Sequence, residues 1–213
     1  MTIDAKICGI TDPIAMEAAV RYGASMVGLV FFPPSPRALS PEEAAMLLRP
    51  VPGHVTSVGL FVDPDDSLID RVLAQVPLDV IQLHGNEPLD RCAGLRERTG
   101  KQIFKAIKVR DAEDLVSASQ YAKVCDRLLF DAKPPENATR PGGNAEVFDW
   151  TVLEGHRWSV PWLLAGGLTP NNVKNAIRVT GCPGVDASSG IESAPGKKDP
   201  AKIQAFLKAV AEA

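Results

Sequence analysis

The sequence predicts an α/β fold: a single-domain (β/α)8 TIM barrel spanning residues 1–213, with eight parallel strands and the helices outside. Three observations predict it. Eight short, nearly continuous apolar runs recur from one end of the chain to the other, as strands buried on both faces require. Helix-like stretches separate them, the alternation that builds a parallel sheet covered by helices. Reactive residue types then fall at the carboxyl ends of the apolar runs, where barrels of this kind place their sites.

The elements follow in order. The run at 5–9 leads to a helical stretch at 13–22, and the run at 26–32 to one at 41–48. Runs at 56–62, 80–83 and 103–107 lead to stretches at 66–75, 88–98 and 112–120. The run at 128–130 passes through a long polar loop to a short helical piece near 148–153. The last two runs, 161–165 and 184–185, lead to helices at 170–179 and 199–211. Pro13, Pro41, Pro88, Pro170 and Pro200 stand at first helical turns, where a missing N–H does no harm. Asp12, Ser40, Thr169 and Asp199 precede four of them as N-caps. An open doubly wound sheet would share this alternation. No GxGxxG follows the first run, which weighs against its dinucleotide-binding form. No shift of composition marks a linker, hence one domain.

Composition narrows the function. With 45% hydrophobic and 23% charged residues the chain can build a sizeable core. A net charge of −3 offers no basic patch for nucleic acid. No apolar run approaches the ~20 residues of a membrane span, and the N-terminus lacks the charged and apolar regions of a secretory signal. Cys8, Cys92, Cys125 and Cys182 are scattered without a CxxC pair, which argues against a metal knuckle or disulfide framework and for a reducing cytoplasm. His54, His84 and His156 form no ligand cluster with nearby acids, so no metal is expected.

The stretch 127–150 organises the rest. Leu128-Leu129-Phe130 reads as a buried strand with Asp131 at its tip, under a loop containing Pro134-Pro135, Pro141 and Gly142-Gly143. Loops this long in compact domains are usually functional or disordered. Asp131 could simply cap the loop or pair with Lys133; an acid partly buried beneath a lid suits general-acid chemistry better. Cys8, at another strand tip and followed by Gly9, is either a small buried hydrophobe or a thiol able to act as a base. Arg37 ends the stiff loop Phe31-Phe32-Pro33-Pro34-Ser35-Pro36, and a rigidly presented guanidinium can grip a planar carboxylate. Gly166-Gly167 and Ser188-Ser189-Gly190 follow runs seven and eight, where barrels often hold phosphate. Asp186 is expected to brace the second of these loops. Gln82 and His84 stand at the fourth strand end, with His84 read first as a satisfied structural histidine. Asp63 and Lys108 complete the set of strand-end polar groups, and Trp150, Trp158 and Trp162 are expected to pack helix against barrel.

In combination these pieces resemble the phosphoribosylanthranilate isomerase family of tryptophan biosynthesis. The matching stretches are Lys6-Ile7-Cys8-Gly9-Ile10, Gly28-Leu29-Val30-Phe31 with Ser35-Pro36-Arg37, Val58-Gly59-Leu60-Phe61-Val62 and Gln82-Leu83-His84-Gly85. Leu129-Phe130-Asp131, Phe148-Asp149-Trp150, Leu164-Ala165-Gly166-Gly167-Leu168 and the stretch from Gly184 to Glu192 follow in the same order. The resemblance implies an Amadori rearrangement of a small phosphorylated substrate, N-(5-phosphoribosyl)anthranilate, needing no cofactor, by a monomer or homodimer. It implies Cys8 as general base and Asp131 as general acid, Arg37 on the substrate carboxylate, and the loops of Gly166, Gly167, Ser188, Ser189 and Gly190 on the phosphate. Gln82 and His84, at their strand end, are candidate substrate contacts beside them.

One stretch departs from the family's pattern. Where the family commonly has Gly-Gly-Thr-Gly before Phe-Asp-Trp, this chain has Gly142-Gly143-Asn144-Ala145-Glu146-Val147, with a glycine fewer and a carboxylate more. A related histidine-pathway ribonucleotide isomerase shares the phosphate loops but carries an aspartate where Cys8 stands, so Cys8 and the Arg37 loop speak against it. A barrel that only binds a phosphorylated metabolite would keep the glycine loops without needing both Cys8 and Asp131.

Overall fold

The computed structural model describes residues 3–133 and 148–213. Eight strands form a closed barrel in chain order: β1 Asp4–Cys8, β2 Met26–Val30, β3 Thr56–Phe61, β4 Val80–Leu83, β5 Gln102–Val109, β6 Arg127–Ala132, β7 Trp162–Leu164 and β8 Gly184–Ala187. Every neighbouring pair is parallel, and β8 closes on β1 with Asp4 opposite Gly184 and Ile7 opposite Ala187. Outside lie α1 Pro13–Arg21, α2 Pro41–Leu48, α3 Asp66–Leu73, α4 Leu89–Thr99, α5 Ala118–Tyr121, α6 Val173–Thr180 and α7 Pro200–Ala211. The predicted barrel is the observed one. None of the helices among the described residues is long and apolar enough to cross a membrane.

Side-chain parity sorts the residues. Successive strand residues point to opposite faces, so alternate positions fill the lumen and the rest pack under the helices. Met26, Val58, Val80, Phe104, Ala106, Leu129, Leu163 and Ala165 form a small apolar core inside the barrel, separate from the larger core between sheet and helices. The same parity, carried two residues further along the strands, brings Gln82, Lys108 and Asp131 to the lumen, with Cys8 and Asp186 reaching it from β1 and β8. The lower lumen is therefore apolar and its upper layer polar.

Asp12, Ser40 and Asp199 cap their helices as expected, Ser40 in a reciprocal box with Glu43. Thr169 does not. Its own N–H donates to Asn172 Oδ1 at 2.7 Å, while Asn172 Nδ2 donates to Gly167 O at 3.0 Å. That side-chain bridge makes a turn, so α6 starts at Val173 with Asn172 as its N-cap. Pro88 is likewise the N-cap of α4 rather than a first-turn residue. The predicted helix at 112–120 is split into a 3₁₀ turn, Ala112–Leu115, and the short α5. Asp111 and Asp114 cause the split by accepting the N–H groups of Glu113 and Arg110, which tightens the chain locally. A hairpin of Glu192–Ala194 and Lys197–Lys198 beyond β8 had no counterpart in the sequence reading. Trp158 and Trp162 pack together with Phe130, as expected of packing tryptophans.

Candidate active site at the carboxyl ends of the strands

Cys8 and Lys6 come from β1, two residues apart and on one face. Lys6 is wholly buried, and its Nζ donates to Asp186 Oδ1 of β8 at 3.0 Å. Its ammonium also acts by charge on the Cys8 thiol. Gly28 of β2 faces both: a Cβ there would lie 3.0 Å from Cys8 Sγ and 3.1 Å from Lys6 Nζ. Burial pushes the Cys8 thiol up, and the Lys6 ammonium pulls it part of the way back. Asp186 is pushed up by the same burial, against the pull of Lys6. The expected loop-bracing role of Asp186 is thus not what the structure shows: it reaches into the lumen and holds a lysine.

Across the lumen Asp131 stands within the end of β6, not just beyond it, and is 7% exposed. Its Oδ1 accepts the Ala132 N–H at 2.9 Å and its Oδ2 lies 3.1 Å from His84 Nε2. Lys133 pairs with Asp114 instead, at 2.8 Å. His84 is buried with both ring nitrogens partnered, as a satisfied histidine would be. It joins the acid to Gln82, whose Nε2 lies 3.0 Å from His84 Nδ1. Gln82 Oε1 is buried with no partner among the described residues. His54 and His156 are exposed, as expected.

Arg37 is 5% exposed and sits over Gly9, where a Cβ would fall 2.5 Å from Arg37 Cδ; Gly9 itself has φ 74°, which favours glycine on a second count. The loop is pinned by the Arg37 N–H, which donates to Ser35 Oγ at 3.1 Å, and by the Leu39 N–H, which donates to Val30 O. Its guanidinium does not stand empty-handed. Nε and Nη2 donate to Glu192 Oε1 and Oε2 at 2.7 and 2.8 Å. Nη1 makes no hydrogen bond among the described residues, and it is the edge left for a ligand. Lys198 Nζ, also buried, donates to Glu192 Oε1 at 2.6 Å and to Ser188 O and Oγ at 3.3 Å. Arginine and lysine together hold the Glu192 carboxyl below its usual range despite burial.

The two glycine loops meet. A Cβ on Gly190 would overlap the carbonyl oxygen of Leu168, so only glycine lets the loop after β8 lie against the one after β7. Gly166 and Gly167 both have positive φ, 85° and 60°. The backbone N–H groups of Gly166, Gly167, Ser189 and Gly190 have no acceptor among the described residues. Four free amides on two touching loops make a cradle suited to an anion.

The structure thus brings every predicted site residue to one end of the barrel. The lid expectation and the altered stretch Gly142–Val147 lie outside the described residues. Four site residues escaped the sequence reading: Lys6, Gly28, Glu192 and Lys198. Lys6 could have been found by parity, since a lysine at a lumen-facing position of a buried strand needs a partner. Glu192 and Lys198 meet only because of the hairpin, which no spacing announces.

Comparisons with known proteins agree. A family model described as "PRAI: N-(5'phosphoribosyl)anthranilate (PRA) isomerase" matches residues 5–209. A protein of Paramagnetospirillum magneticum named N-(5'-phosphoribosyl)anthranilate isomerase is 56% identical over 209 residues, covering 98% of this chain and 97% of its own. The crystal structure of phosphoribosyl anthranilate isomerase from Thermotoga maritima is similar with a TM-score of 0.89 and 37% identity, both chains covered in full. A further crystal structure, of phosphoribosyl anthranilate isomerase in complex with reduced 1-(o-carboxyphenylamino)-1-deoxyribulose 5-phosphate, is similar with a TM-score of 0.85 and 35% identity, again over both whole chains.

Proposed function

The chain belongs to the N-(5'-phosphoribosyl)anthranilate isomerase family, and from that premise we propose how its own residues carry the reaction. The protein is an isomerase of tryptophan biosynthesis that converts N-(5'-phosphoribosyl)anthranilate to 1-(2-carboxyphenylamino)-1-deoxyribulose 5-phosphate. The observation that supports our assignment of roles is the placement of Cys8 and Asp131 on opposite walls of one polar layer, between an anion cradle and an arginine. We read the whole chain as one barrel domain, working in the cytoplasm as a monomer or homodimer on a small phosphorylated substrate.

The substrate phosphate takes the free amides of Gly166, Gly167, Ser189 and Gly190. Its carboxylate meets Nη1 of Arg37, whose other edge Glu192 keeps fixed. The ribose then lies between Cys8 and Asp131. Protonated Asp131 gives its proton to the ring oxygen, the ring opens as the C1–O bond breaks, and the nitrogen lone pair forms a protonated imine with C1. Cys8 as thiolate takes the C2 proton; that bond pair becomes the C1–C2 double bond and the imine pair moves to nitrogen. Tautomerisation of the resulting enolamine gives the ketone.

Gln82 and His84 act on the acid. With Gln82 Nε2 donating to Nδ1, His84 carries its proton on Nε2 and donates to the Asp131 carboxylate, the form left after protonation of the ring. A half-turn of the Gln82 amide puts Oε1 against Nδ1, and His84 then accepts from protonated Asp131, the form before it. Each state of the acid has a matching histidine tautomer.

The test supplies substrate made in situ from anthranilate and phosphoribosyl pyrophosphate, and follows the fall in its fluorescence. Cys8→Ala and Asp131→Asn should each lose roughly 10²–10⁴ in kcat with the fold intact, the usual worth of a positioned proton transfer. Near-full turnover in either variant would remove that residue from its role.

A further inference from the structure

We propose that Lys6 is a positioning residue for this reaction, its buried ammonium, clamped by Asp186, holding the Cys8 sulfur in place as the proton-accepting thiolate. The inference rests on the reading of Cys8 as the base and goes beyond it by naming what makes a buried thiol able to serve.

A lysine with no exposure at all is expensive to keep unless its charge is used or well paired. Lys6 has one hydrogen-bonded carboxylate oxygen, Asp186 Oδ1 at 3.0 Å, and the Cys8 sulfur across the Gly28 position. The sulfur and the ammonium converge on Gly28, within about 3 Å of the point its Cβ would occupy. Glycine on β2 is what gives the pair room.

The charges around the sulfur add up in favour of an anion. Lys6 stands beside it on β1, Asp186 faces it from β8, and Lys198 faces it from the hairpin beyond β8. Arg37 lies over the adjoining Gly9, and Glu192 joins Arg37 to Lys198. The nearest wall on β2 is uncharged Gly28. Across the lumen stand Asp131 and His84, which act by charge on Asp186. Three cations, Lys6, Lys198 and Arg37, thus face two carboxylates, Asp186 and Glu192, an excess of one positive charge that a thiolate at Cys8 cancels. Burial and Asp186 push the thiol up, while Lys6 and Lys198 pull it down. Of these two lysines, Lys6 is the one that converges with the sulfur on Gly28.

The experiment titrates Cys8 directly through the ultraviolet absorbance of its thiolate, taken as the difference between the protein and its Cys8→Ala form, which subtracts the other three cysteines. Lys6→Met should move that titration upward by about one pH unit or more, a tenfold loss of thiolate at a given pH. The pH profile of kcat should move with it, while KM stays within about threefold. Lys6→Arg should restore part of both. If Lys6→Met fails to fold because Asp186 is stranded, the double variant with Asp186→Asn is compared with Asp186→Asn alone, which isolates the effect of Lys6 because Asp186 itself pushes the thiol up. A titration that does not move while Cys8→Ala is inactive overturns the role of Lys6 alone. A Cys8→Ala form that turns over at the full rate overturns the base reading and this inference with it.

Discussion

Among the described residues two lysines of the barrel strands are buried against a carboxylate, one on each side of the wall. Lys6 and Asp186 meet inside the lumen at 3.0 Å. Lys105 and Glu87 meet outside it at 2.8 Å, because Lys105 has the opposite parity on β5 and faces the helix layer. The outer pair is the more fully hydrogen-bonded. Glu87 Oε1 accepts the N–H groups of Asp63 and Gly85, its Oε2 accepts from Lys105, and Lys105 also donates to Gly85 O. Tyr121 closes the group from α5, its hydroxyl donating to Glu87 O at 3.0 Å and its ring lying 5.6 Å from the ammonium. The inner pair has one hydrogen bond between its charges and a thiol beside it. Glu87 is accordingly held below its usual value, by Lys105 first and backbone N–H donors next, against its burial. Asp186 is pushed above its own by burial. A pair held by several hydrogen bonds on both partners holds the fold; a pair with one hydrogen bond and a thiol beside it is poised for chemistry.

The largest effect that could break this contrast is on stability. Lys105→Met strands a carboxylate that is 1% exposed, and losing one partner of a buried pair typically costs about 3–5 kcal/mol. Urea unfolding should show that loss, with kcat of the folded fraction near that of the parent. Adding Glu87→Gln should recover part of it. A Lys105→Met protein of parental stability would mean that the outer pair is no more structural than the inner one.

A smaller and opposite pair of effects appears with pH. Glu87 is depressed in the folded state, so its contribution is full above its usual 4.5 and is lost as pH falls through the folded value. Asp186 is raised, so its contribution is full below its usual 3.8 and is lost as pH rises through the folded value. Glu87→Gln should therefore flatten the acid limb of a stability–pH curve, whereas Asp186→Asn should raise stability near neutral pH relative to acid. Equal slopes in the two variants would erase the distinction. Cys8, raised above its usual thiol value, adds a functional counterpart: kcat should climb as pH rises beyond neutrality toward that value, and a flat profile would speak against a rate set by its thiolate.

The two pairs also divide what the sequence could say. Apolar runs, helix-start prolines and caps made the barrel legible, because each is a local consequence of burial and backbone geometry. Cys8, Asp131 and the glycine loops were legible because strand ends are the site of such a fold. Lys105–Glu87 was not, since Glu87 lies in a loop and meets Lys105 only once β4 and β5 are in register. Nor was the grip of Glu192 on Arg37, which spans 155 residues of chain. Nothing local ties His84 to Asp131, which lies 47 residues away. Long-range side-chain pairing is the part that periodicity does not encode. Thr169 shows the local limit: a cap signature was outbid by Asn172, whose side chain reaches two backbone groups at once.

The smallest effect sharpens the contrast most cleanly. Tyr121→Phe removes one hydroxyl and keeps the ring beside Lys105. The Glu87 carbonyl loses a donor, while Glu87's carboxylate keeps all three of its own. A single neutral hydrogen bond of this kind is worth about 0.5–1.5 kcal/mol. The loss should appear in the urea midpoint with the slope unchanged, since the surface exposed on unfolding is the same. Neither kcat nor its pH profile should move, because the hydroxyl lies behind the sheet and its partners never enter the lumen. A change in the pH profile would show that the outer cluster reaches through the β4–β5 wall to His84 and Asp131, and the two pairs would then be one network.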